Sequence, residues 1–347
     1  MSFMPEMKNL EEVNKFTIHP QRKFFSAEHQ EILDGATTDI YFVRTYEILQ
    51  KMNKANTHVV AEIFARKNGI VAGVDEVKNL LEDKKVDIWS LPEGSEFVEK
   101  EVVMRIGGPY DQFGLYETVV LGMLASSSGW ATAAKIVKEA CGDKPMLCFG
   151  ARHVHPAVAP LMERAALVGG ADGASCILAA KLYGIKPSGT VPHAIFLIVG
   201  DTLEVAKAYN YYMPKEAKRL MLVDTFRDEV EETIHLAKHL GGKLDGIRLD
   251  TPSERGGVTP SLVKEVRYQL DMAGFGHVQI FVSGGLYPEK IRLLKEAGAD
   301  AFGVGSFISA APPIDMTMDL KEVDGKPIAK RGRLPGLTKT DRLVKIK

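Results

Sequence analysis

In the second half of the chain, hydrophobic positions fall into short unbroken runs separated by stretches of helical period. "RLMLVD" (219–224) precedes a segment with Val230, Ile234, Ala237 and Leu240 before Gly241-Gly242. "LDGIRLD" (244–250) precedes "TPSLVKEVRYQLDMAG", where Thr259 reads as an N-cap, Pro260 as the first helical residue, and Leu262, Val266 and Leu270 as one face. "VQIFVS" leads into "YPEKIRLLKEAG", and "DAFGVG" ends the series. Continuous apolar runs joined by helical crossovers predict a parallel sheet buried on both faces. "KPMLCFG" (144–150) and "SGTVPHAIFLIVG" (188–200) extend the strand pattern upstream. The span 126–310 is therefore expected to be α/β, an irregular (β/α) barrel with fewer than eight full repeats.

Upstream the pattern changes. Between residues 40 and 120, short β runs are broken by Asn-Gly, Pro-Glu-Gly and Gly-Gly around one helical segment. That predicts a small sandwich-like α+β domain over 1–125. Near the end, "LKEVDGKPIAKRG" reads as a hairpin turning at Asp324-Gly325, with residues 311–347 expected to pack back on the first domain.

Two strands end in glycine-bearing tips, Ser283-Gly284-Gly285 and Gly303-Val304-Gly305-Ser306. Glycine permits positive φ and close approach of a ligand to the main chain. A strand, a glycine turn and a helix start together expose backbone N–H groups suited to phosphate.

Composition narrows the class. The 347 residues are 45% apolar and 26% charged with a net charge of -1, so no global field favours nucleic acid or a membrane. The segment from Lys326 to Lys347 carries eight Lys or Arg against Asp341 alone, which reads first as a solvated edge. Cys141, Cys148 and Cys176 form no C-x-x-C pair, and unpaired thiols fit a reducing compartment. "MSFMPEMKNLEEVNKF" is polar and acidic, unlike a signal peptide, and no stretch reaches the ~18 apolar residues of a membrane span. A cytoplasmic location is expected.

In a parallel barrel, ligands bind at the C-terminal ends of the strands. Those ends hold Phe149-Gly150-Ala151-Arg152, Asp224, Arg248 with Asp250, and both glycine tips, with His193 nearby. Arginines bind phosphate or carboxylate, carboxylates hold Mg²⁺ or ribose hydroxyls, and amide turns hold a terminal phosphate. The set suits a magnesium-bound, multiply phosphorylated sugar. Each residue also has a plainer role. Arg248 and Asp250 could be a structural ion pair, Asp224 a helix cap, and His193 a buried, hydrogen-bonded histidine. His153 and His155 lie two apart but lack a third partner at recognisable metal-ligand spacing.

The residues that carry a family resemblance run from about 35 to 320. They are "TTDIYF" (37–42), "ETVVLGMLASSSGWATAA" (117–134), "FGARHVHP" (149–156), "ERAALVGGADGAS" (163–175), "GTVPHA" (189–194), "VDTF" (223–226), "IRLDTPSERG" (247–256), "VSGGL" and "FGVGS". With these the chain resembles nicotinate phosphoribosyltransferases, which are type II phosphoribosyltransferases, and in particular the shorter archaeal-type members. Those often carry a C-terminal zinc knuckle, which is missing from this sequence.

The resemblance implies that nicotinate and 5-phosphoribosyl-1-pyrophosphate give nicotinate mononucleotide and pyrophosphate. Phe149 should then stack on the pyridine ring, and Tyr41 should cover the other face from a neighbouring subunit of a homodimer or higher assembly. Arg152 and Arg248 should hold the carboxylate and the pyrophosphate, with Thr190 and Asp172 also on the substrate. Asp250 should hold the ribose hydroxyls, with Asp224 and Asp250 the tentative Mg²⁺ ligands. The 5-phosphate should lie on Ser283, Gly284, Gly285, Gly303, Gly305 and Ser306. His193 matches the family histidine that ATP phosphorylates, coupling hydrolysis to synthesis. Acid-selective relatives show two arginines after Phe-Gly-x, whereas here Arg152 is followed by His153, which would supply the second positive partner when protonated.

Nicotinamide is the alternative if Asp172 accepts from an amide. Quinolinate, a diacid, calls for more Arg and Lys than "FGARHVHP" provides. A phosphosugar isomerase or aldolase would need a lysine or a paired base at a strand end, and none of these ends has a lysine in that place. A non-catalytic phosphoribosyl-binding regulator would have little use for Arg248, Asp250 and His193 together.

Overall fold

A computed structural model describes residues 6–20 and 22–347. Residues 1–5, the start of the stretch read as unlike a signal peptide, lie outside the described residues. The chain divides into two compact units, Met1–Thr132 with Pro312–Lys347, and Ala133–Ala311.

The first unit is α+β. Its six-stranded sheet is antiparallel, in the order Lys326–Pro327, Met316–Val323, His58–Ala65, Val102–Pro109, Asp87–Ser90, Val344–Lys345. Along His58–Ala65 every second residue, Val59, Ala61, Ile63 and Ala65, enters the core, the period-2 burial of a strand with one apolar face. On the other face lies Glu62, only 1% exposed. Its carboxylate accepts from Arg105 on the paired strand and from the Thr338 N–H, which stitches the C-terminal tail over the sheet. The hairpin at Asp324-Gly325 forms with φ of +47° and +72°, the left-handed pair a two-residue turn requires. The basic end is occupied locally. Arg342 pairs with Glu101, Lys345 with Asp87, and Lys330 and Arg333 with Asp319. Lys347 donates to the carbonyls of Leu81, Glu82 and Lys84 beyond the helix Val74–Leu80.

The second unit is the expected α/β barrel in irregular form. Six strands pair in parallel in the order Gly173–Ala174, Met146–Cys148, Ala301–Val304, Gln279–Ser283, Gly246–Leu249, Leu220–Leu222. In chain order this is 2-1-6-5-4-3, a ring joined between its first and last strands and cut between the second and third. Helices follow the predicted signals. Thr259 caps Pro260–Met272, accepting from Leu262 N–H, and that helix buries Val263, Val266 and Leu270. Pro288–Glu296 buries Ile291 and Leu294.

One expected strand is a helix. In "SGTVPHAIFLIVG", His193–Val199 is helical, entered after Pro192 and ended by Gly200 at φ +86°. An unalternating apolar run suits a buried strand or a short helix equally, and here the proline before it and the glycine after it bound a helix. Among the described residues, no helix is long and apolar enough to cross a membrane.

Candidate active site

At the C-terminal ends of the six strands the second unit encloses a cavity of about 450 Å³. Phe149, Arg152, Thr190, His193, Arg248, Asp250, Ser283, Gly284, Gly285, Gly303, Gly305 and Ser306 all line it. They come from five segments far apart in sequence, brought together because parallel strands present all their C-terminal ends on one side.

Arg248 ties these segments together. Nε donates to Ser283 Oγ at 2.8 Å, one terminal nitrogen to Thr190 Oγ1 at 2.9 Å, and the other to Asp250 Oδ2 at 3.2 Å. Ser283 Oγ in turn donates to Asp250 Oδ1 at 2.7 Å. The Ser283 side chain is 1% exposed and is spent on holding this pair. The guanidinium carbon lies 5.3 Å from the centre of the Phe149 ring, a cation–π contact. Arg248 and Asp250 are thus an ion pair and cavity wall at once, because residues two apart on a strand face the same way.

At the first glycine tip, Gly284 and Gly285 have φ of +89° and +59°. A glycine turn of this kind can present successive N–H groups as a nest for an anion, and the helix Pro288–Glu296 starts just beyond.

His193 Nε2 lies 3.1 Å from Asp224 Oδ2. The Asp224 side chain is 1% exposed, its Oδ1 is buried without a partner, and burial raises its pKa against the opposing pull of His193. Asp224 is not the cap of the following helix, since Asp228 takes that place by accepting from Val230 and Glu231 N–H. As a metal ligand Asp224 is poorly placed, with one oxygen on His193 and the side chain closed off. Among the described residues, no group of three His, Cys, Asp or Glu side chains could hold a metal ion.

Two expectations need correction. Asp172 does not line the cavity. It precedes Gly173–Ala174, at the N-terminal end of the sheet, where its carboxylate accepts from Lys138 Nζ and Met146 N–H, both at 2.8 Å. His153 does line the cavity, but as a neutral group. Its Nε2 accepts from Arg152 Nε at 3.3 Å, which leaves the proton on Nδ1, 3.2 Å from Ser309 Oγ. Burial first, and then the Arg152 charge, lower its pKa, which disfavours the role of second cation. Tyr41 lies in the first unit on the helix Ile40–Lys51, 55% exposed, its hydroxyl donating to Asp39 at 3.1 Å.

One positioning residue escaped notice in the sequence. Glu163, fully buried on the helix Ala159–Val168, accepts from Ala151 N–H at 3.0 Å, Ser175 Oγ at 2.9 Å and Cys176 N–H at 2.6 Å. It pins the turn that carries Arg152. Its only sequence signal is a carboxylate inside an apolar helix, which predicts burial with partners and does not say which.

A parallel α/β barrel with a glycine turn and an arginine–carboxylate knot at its strand ends offers a setting suited to a phosphorylated ligand. Residues 39–128 match the family described as quinolinate phosphoribosyl transferase, N-terminal domain, and residues 130–319 its C-terminal domain. The chain belongs to this family, the type II phosphoribosyltransferases. It is 34% identical over 247 residues to a nicotinate phosphoribosyltransferase of Mycobacterium tuberculosis, covering 69% of this chain and 52% of that one. The chain therefore spans about half the length of the curated relatives it matches. A crystal structure of nicotinate-nucleotide pyrophosphorylase from Pyrococcus furiosus superposes with a TM-score of 0.87 at 45% identity, covering 91% of this chain and 82% of that one. Human nicotinic acid phosphoribosyltransferase superposes with a TM-score of 0.70 at 19% identity, over 87% and 77% of the two chains, a likeness of fold.

Proposed function

We propose that the protein transfers the phosphoribosyl group of 5-phosphoribosyl-1-pyrophosphate to nicotinate, releasing pyrophosphate, with ATP hydrolysis coupled through His193. The observation that carries this reading is the cavity wall itself. An aromatic face, Phe149, stands beside two guanidinium groups, a carboxylate held by Arg248 and Ser283, and a left-handed glycine nest.

As the C1–O bond loosens, positive charge grows on the ribose and negative charge on the departing pyrophosphate. Fixed charges aimed at both ends stabilise that separation without proton transfer. Arg248 is already oriented by three bonds, so little reorganisation is left for the reaction. Asp250 faces the ribose, the Gly284-Gly285 nest takes the 5-phosphate, and Phe149 stacks on the pyridine. Mg²⁺, when bound, neutralises the pyrophosphate. Asp250, the one carboxylate among the described residues lining the cavity, would be its protein ligand while keeping its bonds to Arg248 and Ser283, and the substrate phosphates would supply the rest, as is usual for this ion.

His193 has Nε2 turned to Asp224, which leaves Nδ1 as the nucleophile for the γ-phosphoryl group of ATP. The P–O bond to ADP breaks as the N–P bond forms, and water later hydrolyses the phosphohistidine. Tyr41, from a neighbouring copy of the chain, closes the other face of the pyridine in a homodimer or larger assembly.

The charge inventory supports a monoacid. Among the described residues lining the cavity, Arg152 and Arg248 are the only Arg or Lys, and His153 accepts from Arg152. A diacid and a pyrophosphate together would leave carboxylate unpaired. Nicotinamide loses support because Asp172 is away from the cavity. Quinolinate is the second reading, favoured by the family description and by 45% identity to a nicotinate-nucleotide pyrophosphorylase. The test is a substrate panel of nicotinate, nicotinamide and quinolinate with 5-phosphoribosyl-1-pyrophosphate and Mg²⁺, run with and without ATP and followed by pyrophosphate release. Nicotinate should give the highest kcat/KM and ATP should raise it. Faster turnover of quinolinate or nicotinamide would reject the assignment.

A further inference from the structure

The paired ladder of the strand Gly246–Leu249 stops at Leu249, so Asp250 and Thr251 lie beyond the sheet. Asp250 lines the cavity, whereas Thr251 is only 5% exposed and donates from Oγ1 to Glu229 Oε1 at 2.8 Å. Glu229 is 3% exposed and opens the helix Glu229–Leu240, an end where the helix dipole favours a carboxylate. Its other oxygen meets Arg255 at 3.3 Å. Arg255 comes back to it because residues 252–257 form a turn of their own. In that turn the Arg255 and Gly257 N–H groups both donate to the Pro252 carbonyl, and Gly256 and Gly257 have φ of +93° and +68°. One buried carboxylate thus ties the turn after Asp250 to the helix that follows the neighbouring strand Leu220–Leu222.

A buried carboxylate is costly, and packing alone is served as well by an apolar side chain of similar volume. What the carboxylate adds is direction. Resting on the reading that Asp250 faces the ribose of 5-phosphoribosyl-1-pyrophosphate, we propose that Glu229 is a positioning residue. Through Thr251 it fixes the main chain that carries Asp250, and so sets affinity for the phosphoribosyl donor. Glu163 holds the turn of Arg152 in a parallel way, from the helix Ala159–Val168 and through Ala151, Ser175 and Cys176. The two glutamates share no partner, so the sugar side and the ring side of the cavity are braced independently.

The test compares Thr251→Val, which keeps the shape and removes the donor, with Thr251→Ser, which keeps the donor. In Thr251→Val, KM for 5-phosphoribosyl-1-pyrophosphate should rise roughly fivefold or more, short of the roughly hundredfold that a full ångström of misplacement can cost, while KM for nicotinate stays within about twofold. Thr251→Ser should stay close to wild type in both. Glu229→Met cuts the same bond from its other end, so it should match Thr251→Val, and the double variant should be no worse than the worse single one. A merely structural carboxylate would lower the melting temperature and leave both KM values alone or raise them equally. Either result in a folded variant overturns the proposal, as does a Thr251→Ser enzyme impaired as much as Thr251→Val. If Glu229→Met does not fold, the Thr251 pair decides, with Thr251→Ala in place of a valine variant that fails to fold. Turnover of no 5-phosphoribosyl-1-pyrophosphate by the wild type would defeat the underlying reading instead. The brace then stands or falls on a ligand-free crystal structure of the Thr251 variant, in which the Asp250 carboxylate must have left Arg248 or Ser283; an unchanged knot overturns it.

Discussion

Arg248→Lys keeps the positive charge and removes the fork, so it separates geometry from charge. In the wild type one planar group satisfies Ser283, Thr190 and Asp250 at 2.8, 2.9 and 3.2 Å. The three acceptors sit on three segments and diverge around the guanidinium. A lysine ammonium, a compact charge on a flexible stem, can bond one of them well and cannot reproduce the other two. A hydrogen bond involving a charged group contributes about 1.5–3 kcal/mol, so two lost bonds remove about 3–6 kcal/mol before compensation. If water and the ammonium recover about half, the loss is about 1.5–3 kcal/mol, or roughly 10- to 150-fold in kcat/KM. Steady-state pyrophosphate release under saturating Mg²⁺ measures it, with circular dichroism to establish that the variant is folded. A folded Arg248→Lys enzyme that keeps more than about a third of wild-type kcat/KM would refute the reasoning, because a point charge would then suffice.

Further predictions follow from other parts of the chain. His193→Ala should keep basal transfer and lose stimulation by ATP in the same assay; an unchanged ATP response removes the phosphohistidine role. Tyr41→Ala should raise KM for the pyridine substrate, and an unaffected value argues against a shared-subunit site. Burial, and then Asp319, push the Glu117 carboxyl up from 4.5 to about 7, so the stability tied to its protonated form is complete below pH 4.5 and is lost as pH rises through 7. Glu117→Gln should therefore be more stable than wild type at pH 8, by about 2 kcal/mol after halving the 1.36 kcal/mol per unit for a partly exposed side chain, and no more stable at pH 4.5, as denaturant melts at the two pH values would show.

Legibility in the sequence tracked how local each signal was. Strands 220–222, 246–249, 279–283 and 301–304, and the helices between them, were readable because continuous apolar runs, Pro at a helix start and Thr259 as a cap act within a few residues. The cavity wall was readable because strand ends in a parallel sheet must share one side. Contacts that depend on packing were not. His193–Val199 lacks alternation and reads equally as strand or helix. Asp172 stands next to a strand like the true wall residues, yet at its beginning, and two residues of strand are too short for sequence to tell which end is which. The lowered pKa of His153 follows first from the burial around it, which its neighbours in sequence do not reveal, and then from Arg152 beside it, which they do. Gly303 and Gly284 look alike in sequence, but only φ and the nearest atoms distinguish a turn glycine from one that makes room.

The irregularity of the barrel is itself part of the site. Because the six-stranded ring is cut between Gly173–Ala174 and Leu220–Leu222, the chain between those strands need not return directly to pair with its neighbour. That crossover carries Thr190 and His193, and each is tied to a different strand end, Thr190 to Arg248 and His193 to Asp224. In a closed ring, a strand pairing across this gap would bury its backbone in the ladder, and the segment 189–193 could not lie along the cavity wall. The lost ladder is offset by side-chain bonds at the mouth, at a cost in stability that a fully paired barrel would not bear. What the opening provides is a wall segment free of sheet geometry. It can place a half-exposed histidine against a buried aspartate within the same cavity that holds the arginine–carboxylate knot. Strand ends supply the fixed charges of the wall, and the gap supplies a partly exposed imidazole beside them, which is where the proposed phosphoryl transfer would take place.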